Sequence, residues 1–176
     1  MLGLLMLSAC NQQKLPVQQL ENKDALTSKM RFKSQLDTAT FTVLPFSEKS
    51  EYLFSKSTPA ELTVGEIQQV NDLLSKAVAE QNRVEEKDFQ KMIKDFPEAA
   101  QHRENYFIDL SRYRRQFIAV INPKGEKEVW VNCFCSSGPN WRKVEVVVDD
   151  GGNCYFNVKI NLTKASWYEM MVNGEA

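Results

Sequence analysis

Three cysteines and one histidine hold most of the reactive chemistry in the body of this 176-residue chain. Cys133-Phe134-Cys135 and Cys154 supply the thiols, and His102, the single histidine, lies in the polar run Gln101-His102-Arg103-Glu104-Asn105. Three thiolates and one imidazole satisfy tetrahedral zinc in number. Structural zinc sites, however, take paired cysteines from a short turn with roughly two to four residues between ligands. Cys133 and Cys135 have only Phe134 between them, and nothing in the order of the chain brings His102 to them. A Cys-x-Cys redox pair needs an electropositive setting to lower a thiol pKa, and the neighbouring Trp130 and Phe134 offer none. A lone histidine also excludes two-histidine metal sites and HExxH enzymes, and any Ser-His-Asp or Cys-His centre would have to recruit His102. The expectation is therefore that the thiols are structural, with no catalytic residue, no metal and no cofactor.

Other clusters have bland readings that outweigh the chemical ones. Asp149-Asp150-Gly151-Gly152-Asn153 gathers carboxylates and an amide, but it lacks the longer loop and closing Glu of an EF-hand. It reads as a tight turn in which glycine supplies positive φ. Trp130, Trp141, Trp167, Tyr155 and Tyr168 are numerous enough to line a groove for sugar or peptide. At alternating strand positions such aromatics are expected in the core or in cross-strand pairs instead. The chain carries 22 basic and 23 acidic residues, a net charge of -1. Its one basic knot, Arg112-Tyr113-Arg114-Arg115, is expected to be a solvated strand edge, so no nucleic-acid partner is indicated.

The elements that must position these residues begin with Thr40-Phe41-Thr42-Val43-Leu44-Pro45-Phe46, a strand that Pro45 confines to an edge or an end. Thr63 and Glu66 set up a capping box, with Leu62 and Ile67 at the staple positions. The spacing of Ile67, Val70, Leu74, Ala77 and Val78 predicts a helix over Val64 to Asn82. Phe89, Met92, Ile93 and Phe96 predict a second, shorter helix over Glu86 to Asp95, stopped by Pro97. Beyond Tyr113 the period changes to that of strands. Arg115 to Asn122 and Glu128 to Cys135 form a hairpin around Pro123-Lys124-Gly125-Glu126, and Trp141 to Asp149 with Cys154 to Leu162 form a second around Asp150-Gly151-Gly152-Asn153. This is an α+β fold: one long helix packed on a four- to five-strand antiparallel meander, in an order that resembles cystatin-like topology with an added N-terminal strand.

The first ten residues, Met1-Leu2-Gly3-Leu4-Leu5-Met6-Leu7-Ser8-Ala9-Cys10, run from an apolar stretch into small residues and a cysteine. Leu7-Ser8-Ala9-Cys10 resembles the bacterial lipobox, in which the thiol is acylated and the chain is cut just before the cysteine. The resemblance implies a signal peptide over 1–9, lipidation at Cys10, a flexible tether over 10–35 and a single α+β domain over 36–176. The stretch lacks the basic residues that usually precede the apolar part. Acyl chains contribute about 0.8 kcal/mol per buried methylene, so several of them anchor a protein to membrane lipid without spanning it. Asn11 after the cysteine resembles the enterobacterial signal for the outer rather than the inner membrane. An oxidising compartment then favours one disulfide, Cys135 to Cys154 or Cys133 to Cys154, with one thiol left buried. The glycosylation sequon Asn161-Leu162-Thr163 carries little weight in such a setting.

Leu62-Thr63 with Glu66-Ile67, the segment from Tyr113 through Trp130-Val131-Asn132-Cys133-Phe134-Cys135, Asp150-Gly151-Gly152-Asn153-Cys154-Tyr155-Phe156, and the ending Val172-Asn173-Gly174-Glu175-Ala176 look like a group of small bacterial lipoproteins without an assigned activity. The resemblance spans about Phe41 to the end and implies an address and a single domain, but no catalytic or binding residue. The expected role is that of a non-enzymatic module at a membrane surface, binding an envelope protein, peptide or glycan. The alternatives are an inhibitor or immunity-type protein acting on an envelope hydrolase or toxin, and a redox enzyme built on the cysteines.

Overall fold

A computed structural model describes residues 37–174 of the chain. The expected signal peptide, the lipidation site Cys10 and the tether over 10–35 lie outside the described residues, as do Glu175 and Ala176.

The fold is α+β, one long helix with a mixed sheet. Strand β1 is Phe41–Val43 and β2 is the two-residue Thr58–Pro59. Helix α1 is Val64–Asp95, and β3 to β6 are Arg114–Ile121, Lys127–Phe134, Tyr155–Asn161 and Ser166–Val172. Strands β3 to β6 form an antiparallel meander, whereas β1 runs parallel to β3 and β2 pairs antiparallel with it further along. The sheet is therefore not purely antiparallel. β1 ends just before Pro45, as an X-Pro step requires, with the Leu44 amide still donating to Phe117 O at 2.8 Å.

The start of α1 is the capping box expected from Thr63 and Glu66. Glu66 N donates to Thr63 Oγ1 at 3.2 Å, and Thr63 N donates to Glu66 Oε2 at 2.8 Å. The second Glu66 oxygen accepts from Lys127 Nζ at 2.7 Å, which ties the first helical turn to the start of β4. Lys127, together with the buried apolar helix positions, keeps the two elements in register.

The two expected helices are in fact one, 32 residues long. The linking residues Arg83-Val84-Glu85 contain neither Gly nor Pro, so nothing stops the helix where its apolar stripe fades. The stripe fades because the sheet ends. Ile67, Val70, Leu73, Leu74, Ala77 and Val78 are buried, and beyond Asn82 only Phe89 is. Phe89 packs on Tyr106 and Phe107, at centroid distances of 5.0 and 5.3 Å, in the segment that follows the helix. Asn82 clamps that segment through both backbone groups of Ile108, each at 2.9 Å.

The largest departure from expectation concerns the third meander strand. Trp141 to Asp149 is not a strand and does not form a hairpin with Cys154 to Leu162. β5 pairs instead with Ser166–Val172, across the turn at 162–165.

The helix lies on one face of the sheet, where Lys127 meets Glu66 and Arg115 Nη1 donates to Asn71 Oδ1 at 3.4 Å. Strand alternation puts Phe117, Ala119, Val129, Val131, Cys133, Phe156, Val158 and Ile160 on that face, all buried. The opposite face carries Gln116, Ile118 and Val120 on β3 and Glu128, Trp130 and Asn132 on β4. Leu44, Leu53 and Phe54, with Phe46 beside them, cover its apolar part, Ile118, Val120 and Trp130. The rest of this face is covered by the irregular segment between β4 and β5.

Candidate interaction groove

The segment between β4 and β5 is closed at its base by a disulfide between Cys135 and Cys154, with Cα atoms 5.1 Å apart. Of the two pairings open to the sequence, the sheet selects this one. Cys133 stands opposite Phe156 in the β4–β5 register, so continuing that register past the strand ends sets Cys135 opposite Cys154. Cys135 N donates to Cys154 O at 2.9 Å. Closing a loop of this length removes on the order of 3 kcal/mol of denatured-chain entropy. Cys133 remains a free thiol, wholly buried on the helix face, and burial pushes its pKa up to about 12. The three thiols thus do not share one core.

Inside the loop, Trp141 packs edge-on against Phe134 at 5.7 Å, and the Arg142 guanidinium lies 4.3 Å over the Trp141 ring. Arg142 also donates to the carbonyls of Thr38, Ala39 and Phe41, which joins the loop to the edge of the sheet at β1. From Val144 onward the backbone is held by side-chain amides rather than by a neighbouring strand. Gln116 Nε2 donates to the carbonyls of Trp141 and Val144, and Gln116 Oε1 accepts from Val146 N at 2.9 Å. Asn132 Nδ2 donates to Val146 O at 2.8 Å, and Asn173 Nδ2 donates to the carbonyls of Val148 and Asp150. Gln116 is fully buried, so these bonds satisfy an amide that would otherwise cost about 1–3 kcal/mol.

Held this way, Glu145 to Val148 stands above the sheet as a ridge. On one flank, between the ridge and Tyr52, lies a groove of about 320 Å³. Trp130, Asn132, Asn157 and Lys159 are among its lining, with Met171 and Asn173 near the sheet edge. The Tyr52 hydroxyl donates to Glu145 Oε1 across the groove. Partial desolvation of the hydroxyl, and after it the Glu145 carboxylate, raises the Tyr52 pKa and keeps its proton on, although most of the side chain is exposed. Lys159 Nζ donates to Glu169 Oε2 at 2.7 Å and lies 5.2 Å from the Phe54 ring centroid.

Glu169 reaches that lysine through a β-bulge. Lys159 stands opposite Tyr168 and Asn157 opposite Met171, so Glu169 and Met170 share the space facing Val158. Glu169 has φ +48°, a left-handed conformation that a non-glycine residue rarely adopts. The bulge changes where the strand aims its side chains, and the ion pair with Lys159 is the visible result.

Around the groove the apolar surface is unusually open. Tyr52 is 69%, Val147 71% and Met171 63% exposed. Tyr and Met are among the residues enriched where proteins contact partners. Of the aromatic residues considered from the sequence, Trp130 and Tyr155 line the groove, with Trp130 almost wholly buried, and Trp141 is buried in the loop. Tyr168 turns its hydroxyl to Glu128, and burial followed by that carboxylate raises its pKa. Asp149 to Asn153 is a turn, with Gly151 at φ +93° and Gly152 at φ +57°. A Cβ at Gly151 would meet the Tyr155 ring at 2.7 Å. His102 lies beyond α1 in the Pro97–Asn105 turns, largely exposed and 3.9 Å from Glu104.

Among the described residues no group of three or more His, Cys, Asp or Glu side chains is placed to hold a metal ion, and no helix is long and apolar enough to cross a membrane. Tyr52, Glu145, Lys159, Glu169 and Met171 escaped the sequence reading. No family model, curated protein or solved structure matches the chain.

Proposed function

We propose that the chain is a membrane-anchored envelope lipoprotein, held to outer-membrane lipid through acylated Cys10; its domain acts as a non-enzymatic module that binds an extended segment of another envelope protein in the groove beside Tyr52. The observation that carries this reading is the exposed set Tyr52, Val147 and Met171 around a groove that also offers the amide of Asn157. Apolar rims suit side chains of a peptide, and an amide suits its backbone. An anchored domain needs such a face, because the anchor sets where it is held and the face sets what it touches.

The test is a photo-crosslinking residue placed at Met171 in intact cells, with the same residue at Lys76 on the exposed side of α1 as control. Adducts from Met171 should map to a defined polypeptide segment, and a synthetic copy of that segment should bind the purified chain and lose at least about tenfold in affinity when Tyr52 is replaced by Ala. Adducts confined to glycan, or equal labelling from both positions, overturn the reading.

A second reading rests on element order. A helix leading an antiparallel meander is the layout of cystatin-like inhibitors, and it supports an inhibitor or immunity-type role against an envelope hydrolase or toxin. Purified chain should then slow one such hydrolase, and unchanged rates across the set count against it.

A further inference from the structure

The ridge has a second property that the groove does not use. Its inward backbone groups, at Val144, Val146, Val148 and Asp150, bond to Gln116, Asn132 and Asn173. In an extended chain the groups of alternate residues point to opposite sides, so those of Glu145, Val147 and Asp149 point away from the sheet. No hydrogen bond within the described residues engages the backbone N–H or C=O of these three. The ridge is thus a free strand edge on a segment rich in exposed valine, the kind of edge that proteins usually cover or block.

We propose that this edge pairs with the same edge of a second copy, antiparallel and about a twofold axis through Val146. Charge selects both the occupant and the register. Lys143, in the turn that leads into the ridge, and Asp149, in the bend that leaves it, are both exposed, and neither is in an ion pair among the described residues. Centring the pairing on Glu145 sets that carboxylate against its own copy. Centring it on Val147 sets Glu145 against Asp149. Centring it on Val146 sets Lys143 of each copy against Asp149 of the other, so both ends are complementary at once. Glu145 and Val147 then exchange backbone bonds with Val147 and Glu145 of the second copy, and Val144 faces Val148. The inference concerns the outward edge of the ridge and does not depend on what fills the groove.

The experiment measures the mass of the full chain in detergent by light scattering over a concentration series, with four proteins: the native chain, Lys143→Asp, Asp149→Lys and the double variant Lys143→Asp/Asp149→Lys. Each single change places like charges opposite one another at both ends and should weaken dimerisation at least about tenfold. The double variant should restore it. Amide exchange at Glu145 and Val147 should slow as the native chain dimerises, which separates loss of pairing from loss of folding. A native chain that stays monomeric, single variants that dimerise normally, or a double variant that fails to recover overturns the proposal.

Discussion

The two faces of the sheet are covered in different ways although the same strands build both. On one face, Phe117, Val129, Val131, Cys133, Phe156, Val158 and Ile160 are closed off by a helix that satisfies its own backbone. On the other, the covering loop has no such internal ladder, and the sheet supplies the missing partners through Gln116 and Asn132. An apolar face needs only a cover of matching shape, whereas an irregular cover needs side-chain donors and acceptors beneath it. The exposed apolar residues and the groove belong to the second face, where the loop leaves backbone and side chains uncovered.

That contrast can be broken from either side. The largest effect is expected from Leu74→Ala, which removes a fully buried side chain from the helix face and should cost about 2–5 kcal/mol in denaturant unfolding, with protection lost throughout the sheet. Cys135→Ser should cost about 2–4 kcal/mol by freeing the loop, and the groove should lose its order before β3 to β5 do, as amide exchange would report. A smaller and more local change follows from Gln116→Leu. It strands the backbone groups of Val144 and Val146 and should cost about 1–3 kcal/mol, with fast exchange at Val146 and little change at Val129 or Val131.

The smallest effect sharpens the comparison at the turn end of the sheet. Hydrogen bonds from Lys164 and then Asn161 hold the Glu126 carboxyl at about 2, below its ordinary 4.5. A depressed carboxylate contributes stability above its unfolded pKa and loses it as pH falls through the folded one. Stability should therefore decline between about pH 4.5 and 2. Glu126→Gln should flatten that decline in acid unfolding curves, and an unchanged slope would show that the ion pair contributes nothing.

Much of the frame was legible in local chemistry. The Thr63–Glu66 box marks the helix start because both partners lie within one turn, and Gly125, at φ +78°, marks the turn between β3 and β4. The α+β class follows from the change of period after Tyr113. The helix end was misread because fading amphipathicity looked like a break. A helix continues through any residues that tolerate its backbone, whether or not they have something to bury against. The candidate site was legible only as stray residues, since Tyr52, Asn132, Lys159 and Met171 meet across long sequence separations that no local pattern records.

The sequence by itself determined the elements whose hydrogen bonds are local, the capped helix and the tight turns, and it narrowed a disulfide to Cys154 with either Cys133 or Cys135 without choosing between them. The tertiary structure decided the rest. Strand register placed Cys135 opposite Cys154 and sealed Cys133 beneath the helix. The amides of Gln116 and Asn132 held Val144 to Val148 as a ridge where its pattern reads as a strand. An alternating apolar segment is compatible with any partner that satisfies its backbone, and the identity of that partner is a property of the folded chain.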